Sequence, residues 1–201
     1  MLVDDFDLLA NPRIVSQDVG VVDWHKDAVA KQRYFVNIAG FGFQAYVGLR
    51  ANAQKAKGKG GIMGYVVALL SSLRSYKPQM SQFMIDNDRG RKQLIYSGAV
   101  GICKYNGGGM KQCPDAVVDD GYLDFTLIGE ISKWEVLKNV PKLFSGKFVH
   151  HPAVSQYLAK EINMQGSKNL LIEVDGENIG HAPAWFSVLP NALNIAVPQL
   201  P

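Results

Sequence analysis

Two acidic stretches and one glycine-aromatic turn hold the residues whose types and spacing could do chemistry. The first stretch runs from Gly107-Gly108-Gly109-Met110 to Pro114-Asp115-Ala116-Val117-Val118-Asp119-Asp120-Gly121-Tyr122-Leu123-Asp124. Consecutive glycines let the backbone take positive φ and approach a ligand closely. Asp-Asp-Gly gathers carboxylates and turn carbonyls, the hard oxygen donors that Mg²⁺ or Ca²⁺ accept. The same residues also read as a long hairpin loop with solvated acids. The second stretch is Glu173-Val174-Asp175-Gly176-Glu177, entered from apolar Leu170-Leu171-Ile172. Asp-Gly is a strong hairpin signal, and acids at i and i+2 of a strand share a side. There one carboxylate can orient a hydroxyl while the other accepts its proton. A plain hairpin is the competing reading.

The third feature, Phe35-Val36-Asn37-Ile38-Ala39-Gly40-Phe41-Gly42-Phe43, is a strand ending in a Gly-x-Gly turn. It fails as a dinucleotide fingerprint because Ala45 stands where the third glycine belongs. Gly58-Lys59-Gly60-Gly61 is no P-loop either, since no Gly-Lys-Ser/Thr completes it. Lys55, Lys57 and Lys59 form a basic run on that glycine-rich loop, suited to phosphate, to anionic lipid or simply to solvent. His150-His151-Pro152, His25 and His181 lack partners at metal-ligand spacing, and there is no Gly-x-Ser-x-Gly elbow. Cys103 and Cys113 are too few for a disulfide framework or a zinc set and suit the role of small apolar filler.

The elements that must position these residues are mainly β. Runs rich in Val, Ile, Phe and Tyr, punctuated by Gly, Asn, Asp and Pro, predict strands at Gln17–Trp24, Arg33–Ala39, Gln82–Asp86 and Gln93–Tyr105. Leu123–Ile128, Asn169–Val174, Trp185–Leu189 and Ala192–Val197 read the same way. Asn87-Asp88-Arg89-Gly90 is a hairpin turn between two of them. Two segments predict helices. Ile62, Tyr65, Val66, Leu69, Leu73 and Tyr76 recur at helical spacing before Pro78. Ser132-Lys133-Trp134-Glu135 is a capping box, after which Trp134, Leu137, Pro141 and Phe144 follow roughly one face up to Gly146. Pro141 marks a kink or break. The pattern predicts a mainly β chain, a β-sandwich with two or three inserted helices, and not a doubly wound sheet.

Length and charge bound the rest. The 201 residues, 47% hydrophobic and 19% charged, suffice for one core and exclude wholesale disorder. A net charge of +3 from 21 Lys+Arg against 18 Asp+Glu gives no footprint for nucleic acid. The acidic start Met-Leu-Val-Asp-Asp-Phe-Asp is unlike a secretory signal, and the uncharged Gly60–Leu73 stretch is short of the ~20 residues of a membrane span. Two cysteines fit a reducing, cytoplasmic setting, and contact with a membrane surface stays open.

Taken in order, these stretches resemble the C-terminal domain of the diacylglycerol kinase and sphingosine kinase superfamily, nearest the bacterial soluble lipid kinases. The resemblance rests on Gln17-Asp18-Val19-Gly20, Phe35 to Phe43, Gly61 to Tyr65, Gly107 to Asp124, Gly146 through His151-Pro152, Val174 to Glu177, and Pro190-Asn191-Ala192-Leu193. The Gly-Gly-Gly-Met…Asp-Asp-Gly and Val-Asp-Gly-Glu pair is the most specific part. It implies that residues 1–201 form the substrate-side half of an ATP-dependent lipid kinase. The ATP-binding Gly-Gly-Asp-Gly-Thr motif belongs to an N-terminal domain not found in this chain.

By this resemblance Glu177 matches the proton acceptor, with Asp175 next to it. Asp120 matches a side-chain ligand of Mg²⁺, and Val117 and Tyr122 match its carbonyl ligands. Asp18 matches an acid facing the ATP domain, and one of the lysines from Lys55 to Lys59 matches a phosphate-facing lysine. Gln44 departs from the family, which commonly has an acid there. The implied substrate is a lipid hydroxyl, diacylglycerol-like or sphingoid. The implied partners are that lipid, the ATP-binding domain and, transiently, a membrane surface, but no nucleic acid. A non-catalytic lipid-binding β-domain and an NAD-kinase-like C-terminal domain are the alternative readings. The chain by itself is expected to fold but to transfer no phosphate.

Overall fold

The computed structural model describes residues 12–59, 61–107, 109–166 and 169–199. Along the chain come β1 (Arg13–Lys26), β2 (Val29–Phe35), β3 (Ile38–Gly42), α1 (Phe43–Ala56), α2 (Gly61–Ser75), β4 (Gln79–Ile85), β5 (Arg91–Ile95) and β6 (Ser97–Gly101). Then follow β7 (Tyr105–Asn106), β8 (Met110–Lys111), β9 (Leu123–Ile128), α3 (Lys133–Ser145), a 3₁₀ turn (Lys147–His150), β10 (Val154–Ala159), β11 (Glu161–Gln165), β12 (Leu171–Val174), β13 (Glu177–His181) and β14 (Ala184–Val197).

Two six-stranded antiparallel sheets, ordered β2-β1-β14-β11-β4-β5 and β10-β9-β6-β3-β12-β13, pack face to face. Val22, Phe35, Phe41, Phe83, Phe125 and Phe186 fill the space between them. A second apolar cluster, with Phe43, Val47, Ala68, Leu73, Tyr76 and Tyr96, seats the helices on the outer face of the second sheet. That sheet is therefore covered on both sides. Its central strands β3 and β6 are buried at every residue, so they read as continuous runs of apolar and small residues without alternation. The β-sandwich with helices is the architecture the sequence predicts.

Several boundaries differ. The Arg33–Ala39 run is two strands, because the chain turns at Val36-Asn37. Trp185–Leu189 and Ala192–Val197 are one strand, β14, interrupted where Pro190 to Ala192 bulge opposite Asp18 and Asn191 takes φ 51°. β10, β11, β13 and α1 lie outside the predicted elements. α1 begins at Gly42, whose φ of 72° turns the chain out of β3; a Cβ there would meet the Tyr96 carbonyl at 2.8 Å. Helix formers Ala45, Leu49, Arg50, Ala51, Ala53 and Lys55 then carry it.

α3 has the predicted capping box, with Glu135 N–H donating to Ser132 Oγ at 3.3 Å and Ser132 N–H to Glu135 Oε2 at 3.0 Å. It runs through Pro141 without ending. Its Trp134, Leu137 and Phe144 face is exposed, and Val136, Val140 and Leu143 turn inward instead.

Candidate active site at one end of the sandwich

Strand register gathers the predicted acids at one end of the molecule. Asp124 pairs with Gly101 and Gly101 with Ile38, and the Asp175 amide donates to the Ile38 carbonyl at 3.1 Å. At ~4.8 Å per strand, the Asp175 turn and the start of β9 stand about 14 Å apart. β1 reaches the same end: Gln17 Nε2 donates to the Val36 carbonyl and the Asp18 amide to the Val118 carbonyl, both at 2.7 Å. Asp18, Asp120, Asp175 and Glu177 thus come together at the level of the fold.

Their carboxylates do different things. Asp175 (φ 47°) and Gly176 (φ 81°) form the β12–β13 turn. Asp175 accepts from three main-chain amides, Val36 to Oδ2 at 3.1 Å and Asn37 and Ile38 to Oδ1 at 3.2 and 3.1 Å. It clamps the hairpin to the β2–β3 connection. Glu177 instead stands in solvent, its side chain 70% exposed, with Oε2 2.8 Å from Arg33. The two carboxylates of the hairpin thus have different partners, main-chain amides for Asp175 and Arg33 for Glu177.

Asp18 is fully buried, and its oxygens accept from Gly121 N–H at 2.6 Å and Asn191 N–H at 2.7 Å. Asp18 thereby joins β1, the acidic loop and the β14 bulge. Asp120 is exposed, and Oδ1 accepts from Tyr122 N–H at 3.0 Å. Val117 and Tyr122 flank it and are exposed as well. Burial, then the charges of Asp120 and Asp115, push the Asp124 carboxyl up to about 6. A negative field concentrated on hard oxygen donors fits a divalent cation. Among the described residues no three His, Cys, Asp or Glu side chains gather at a metal-binding spacing. A cation here would rest on one carboxylate and carbonyls.

Gly107 and Gly109 belong to the tip of the small β7–β8 hairpin; Gly108 lies outside the described residues, as does Gly60. Lys55 is in the last turn of α1, and the Lys59 amide donates to the Gln54 carbonyl at 3.0 Å. Both side chains are exposed. The Asn52 Nδ2 bond to the Gly176 carbonyl, at 3.0 Å, lays this end of α1 beside the Glu177 hairpin. Burial pushes the Cys113 thiol up to about 12 and raises that of Cys103, which leaves both as inert filler.

Along the outer face of the second sheet, the helices roof a cavity of ≈ 110 Å³. Its walls are Val47 from α1, Tyr65 and Leu69 from α2, and Val140 and Leu143 from α3; Ala99 and Thr126 are on its floor. Tyr96 Oη and Asn139 Oδ1, both buried, have no hydrogen-bond partner among the described residues.

The same face of the sheet carries an acid of the second stretch to which its sequence gives no separate role. Glu173 pairs with Gly40, Gly40 with Ala99 and Ala99 with Thr126, and directly opposed residues project to one face. Glu173 thus points to the helix side, buried, with Gln44 Nε2 donating to Oε1 at 2.9 Å. Burial raises its pKa against the pull of the Gln44 and Asn106 amides. The available signal was an acid inside the apolar run Leu170 to Val174.

The YegS C-terminal NAD kinase beta sandwich-like domain matches residues 37–197. A diacylglycerol kinase of Mycobacterium tuberculosis is 28% identical over 168 residues, covering 84% of this chain and 53% of the relative. A probable lipid kinase, YegS-like, of Shewanella frigidimarina is 27% identical over 173 residues, covering 84% and 54%. The chain therefore spans about half the length of the curated relatives it matches. A crystal structure of a putative diacylglycerol kinase from Bacillus anthracis aligns with TM-score 0.66 at 18% identity, covering 93% of this chain and 59% of that one. These findings agree with the family resemblance carried by the motifs. On a match that runs from β3 to the end of β14, the chain belongs to the YegS C-terminal NAD kinase β-sandwich-like domain family.

Proposed function

We infer that this chain is the substrate-side domain of an ATP-dependent lipid kinase, with Glu177 as proton acceptor. The observation that carries the reading is the juxtaposition of an exposed carboxylate and an apolar cavity under one helix. α1 contributes Val47 to the cavity wall and, through Asn52, braces the Glu177 hairpin. The cavity walls, hydrophobic with a few buried polar atoms, match the chemistry of lipid tails. The names of the relatives support a lipid substrate.

In the reaction the lipid hydroxyl oxygen forms a bond to the γ-phosphorus, the bond from that phosphorus to the β-bridging oxygen breaks, and ADP leaves. Glu177 takes the hydroxyl proton as the new bond forms. The work is mostly positioning and charge neutralisation, as phosphoryl transfer requires. Arg33 steadies the Glu177 carboxylate, and Asp175 fixes the hairpin that carries it. Lys55, one turn beyond Asn52, is the phosphate-facing lysine of this reading. Mg²⁺, which neutralises phosphate charge and orders such sites, would be held near this end by Asp120 with the carbonyls of Val117 and Tyr122. The nucleotide is assigned to an ATP-binding domain, in keeping with the half-length match to the relatives. A cytoplasmic location goes with this reading.

The test is phosphoryl transfer from radiolabelled ATP with Mg²⁺ to a lipid panel. We expect product when the chain acts together with an ATP-binding domain of this kinase class, none from the chain alone, and loss of product with Glu177→Gln. Equal transfer by the chain alone, or by the Glu177→Gln protein, rejects the reading.

A further inference from the structure

The apolar cavity has one polar end. Thr126, Ala99, Gly40, Glu173 and Asn178 oppose one another strand by strand across the second sheet. At ~4.8 Å per strand, Glu173 lies about 10 Å from Ala99 on the cavity floor and about 5 Å from Asn178, the residue after Glu177. Gln44, which lines the cavity, occupies the space above Gly40, where a Cβ would collide with its amide. The Gln44–Glu173 pair therefore stands between the cavity and the hairpin that carries Glu177.

The Gln44 amide is held in one orientation. An ionised carboxylate only accepts hydrogen bonds, so the atom turned to Glu173 is Nε2, at 2.9 Å. The amide oxygen, Oε1, is then the atom left for the cavity. The Gln44 main chain is fixed as well, its N–H donating to Ser97 Oγ at 3.1 Å. Asn106 also donates to the Glu173 carboxylate, and its Nδ2 reaches Oε1 of Gln112, another cavity residue, at 3.4 Å. Among the described residues Glu173 has no Lys, Arg or His within ion-pair distance. Buried charge is ordinarily paired, and here two amides are its only partners. A donor set on Gln44 Oε1 would extend the chain of hydrogen bonds that ends on this charge, and such chains strengthen each member.

We propose that Gln44 and Glu173 set substrate choice: Gln44 Oε1 accepts a hydrogen bond from a free hydroxyl or amino group next to the lipid hydroxyl that takes the phosphate, and Glu173 holds the amide in that orientation. Glu173 is a positioning residue that acts through Gln44. The preferred class is a lipid with a second hydrogen-bond donor in its head, such as a monoacylglycerol or a long-chain amino alcohol. In a 1,2-diacylglycerol the neighbouring oxygen is esterified and has no hydrogen to give. The proposal rests on the lipid-kinase reading and adds to it which lipids are chosen.

Calorimetric titration of the chain tests it, with 1-decanoylglycerol against 3-hydroxypropyl decanoate, which lacks only the second hydroxyl. The first lipid should bind about 10- to 100-fold more tightly, since the second leaves a buried acceptor unpaired. Gln44→Leu should bring the ratio to near unity. Glu173→Gln should lower it about fivefold or more, because an amide at that position lets the Gln44 side chain turn either way. Gln44→Glu combined with Glu173→Gln exchanges the two groups, keeps an acceptor toward the cavity and should restore the ratio. A purely structural role would weaken both lipids alike and leave the ratio where it was. Phosphoryl transfer to the two lipids, by the chain together with an ATP-binding domain of this kinase class, separates the proposal from the reading it rests on. Transfer that Glu177→Gln abolishes but that shows no preference overturns the proposal and keeps the kinase reading; preferential binding without transfer does the reverse. Equal binding of the two lipids, binding of neither, or a ratio that Gln44→Leu leaves intact also overturns the proposal.

Discussion

Gln44 on α1 donates from Nε2 to Oε1 of Glu173 on β12 at 2.9 Å, joining the helix that roofs the cavity to the strand that leads to Glu177. The other oxygen of Glu173 lies 2.6 Å from where a side chain would begin on Gly48. The helix can approach the strand this closely because position 48 has no Cβ. The family resemblance implies an acid at the position of Gln44. Here an amide stands at that position and hydrogen-bonds a carboxylate on the facing strand, so a buried negative group is still present beside the cavity.

Stability should fall as pH rises through the titration of Glu173. Burial raises its folded-state pKa above the unfolded value, near ~4.3. The folded state then holds the proton more tightly, and stability is lost as pH rises from that value through the folded pKa. Glu173→Gln keeps an oxygen for Gln44 and removes the buried charge. Calorimetry should show the variant melting higher than the parent at pH 7.5 and level with it below about pH 4. A parent that melts higher at pH 7.5 would mean that the two amides outweigh burial.

Asp175 and Glu177, two residues apart, should respond in opposite ways. Asp175→Ala leaves three main-chain amides without their acceptor and should cost about 2–4 kcal/mol of stability in denaturant titration. Glu177→Gln loses one exposed ion pair, worth at most about 1 kcal/mol. In the complete kinase the same Gln should lower turnover by about 10²–10⁴-fold. A stable Asp175→Ala protein with turnover lost would transfer the base to Asp175.

Asp18→Ala should destabilise the fold by about 2–4 kcal/mol, because the Gly121 and Asn191 amides both lose their acceptor. Asp18→Asn, which keeps one acceptor and sets an NH₂ against the other amide, should lie between. If both variants keep the parent's denaturation midpoint while kinase activity disappears, Asp18 acts on the nucleotide side and not as a clamp.

How much of this was legible in the sequence depends on the range of the interaction. The Ser132–Glu135 capping box and the Asp175-Gly176 turn are local, and both appear where residue spacing puts them. The joining of β14 across Pro190 was not legible, since it depends on Asp18 accepting from Asn191, 173 positions away. α1 was hidden because Phe41, Phe43 and Tyr46 give its start the aromatic content of a strand. The acids stand out in the sequence by type, but what each carboxylate meets does not. Whether a carboxylate meets solvent, like Glu177, or main-chain amides, like Asp175, is set by the strand that comes to lie beside it.

The acidic loop should bind a divalent cation weakly by itself. One carboxylate, Asp120, and main-chain carbonyls make a sparse ligand set, and Mg²⁺ keeps several waters in such sites. Titration with Mn²⁺, followed by the paramagnetic resonance of the free ion, should give saturable binding that Asp120→Ala removes. Binding unaffected by Asp120→Ala places the ion elsewhere.

The cavity prediction turns on Ala99, which sits on the floor between Gly40 and Thr126 in strand register. Ala99→Leu adds three carbons to a fully enclosed wall position. Where the cavity is empty they have space to occupy, so the usual overpacking cost of about 1–3 kcal/mol should be reduced. A lipid tail would meet those carbons directly. In the complete kinase the variant should therefore raise KM for long-chain lipid substrates by about tenfold or more, as a pocket contact worth ~1–3 kcal/mol implies. KM for ATP should not change, and short-chain substrates should be affected less. Equal KM values for long and short chains in parent and variant would place the tails outside this cavity and leave the helices α1 to α3 as a lid over an ordinary packing defect.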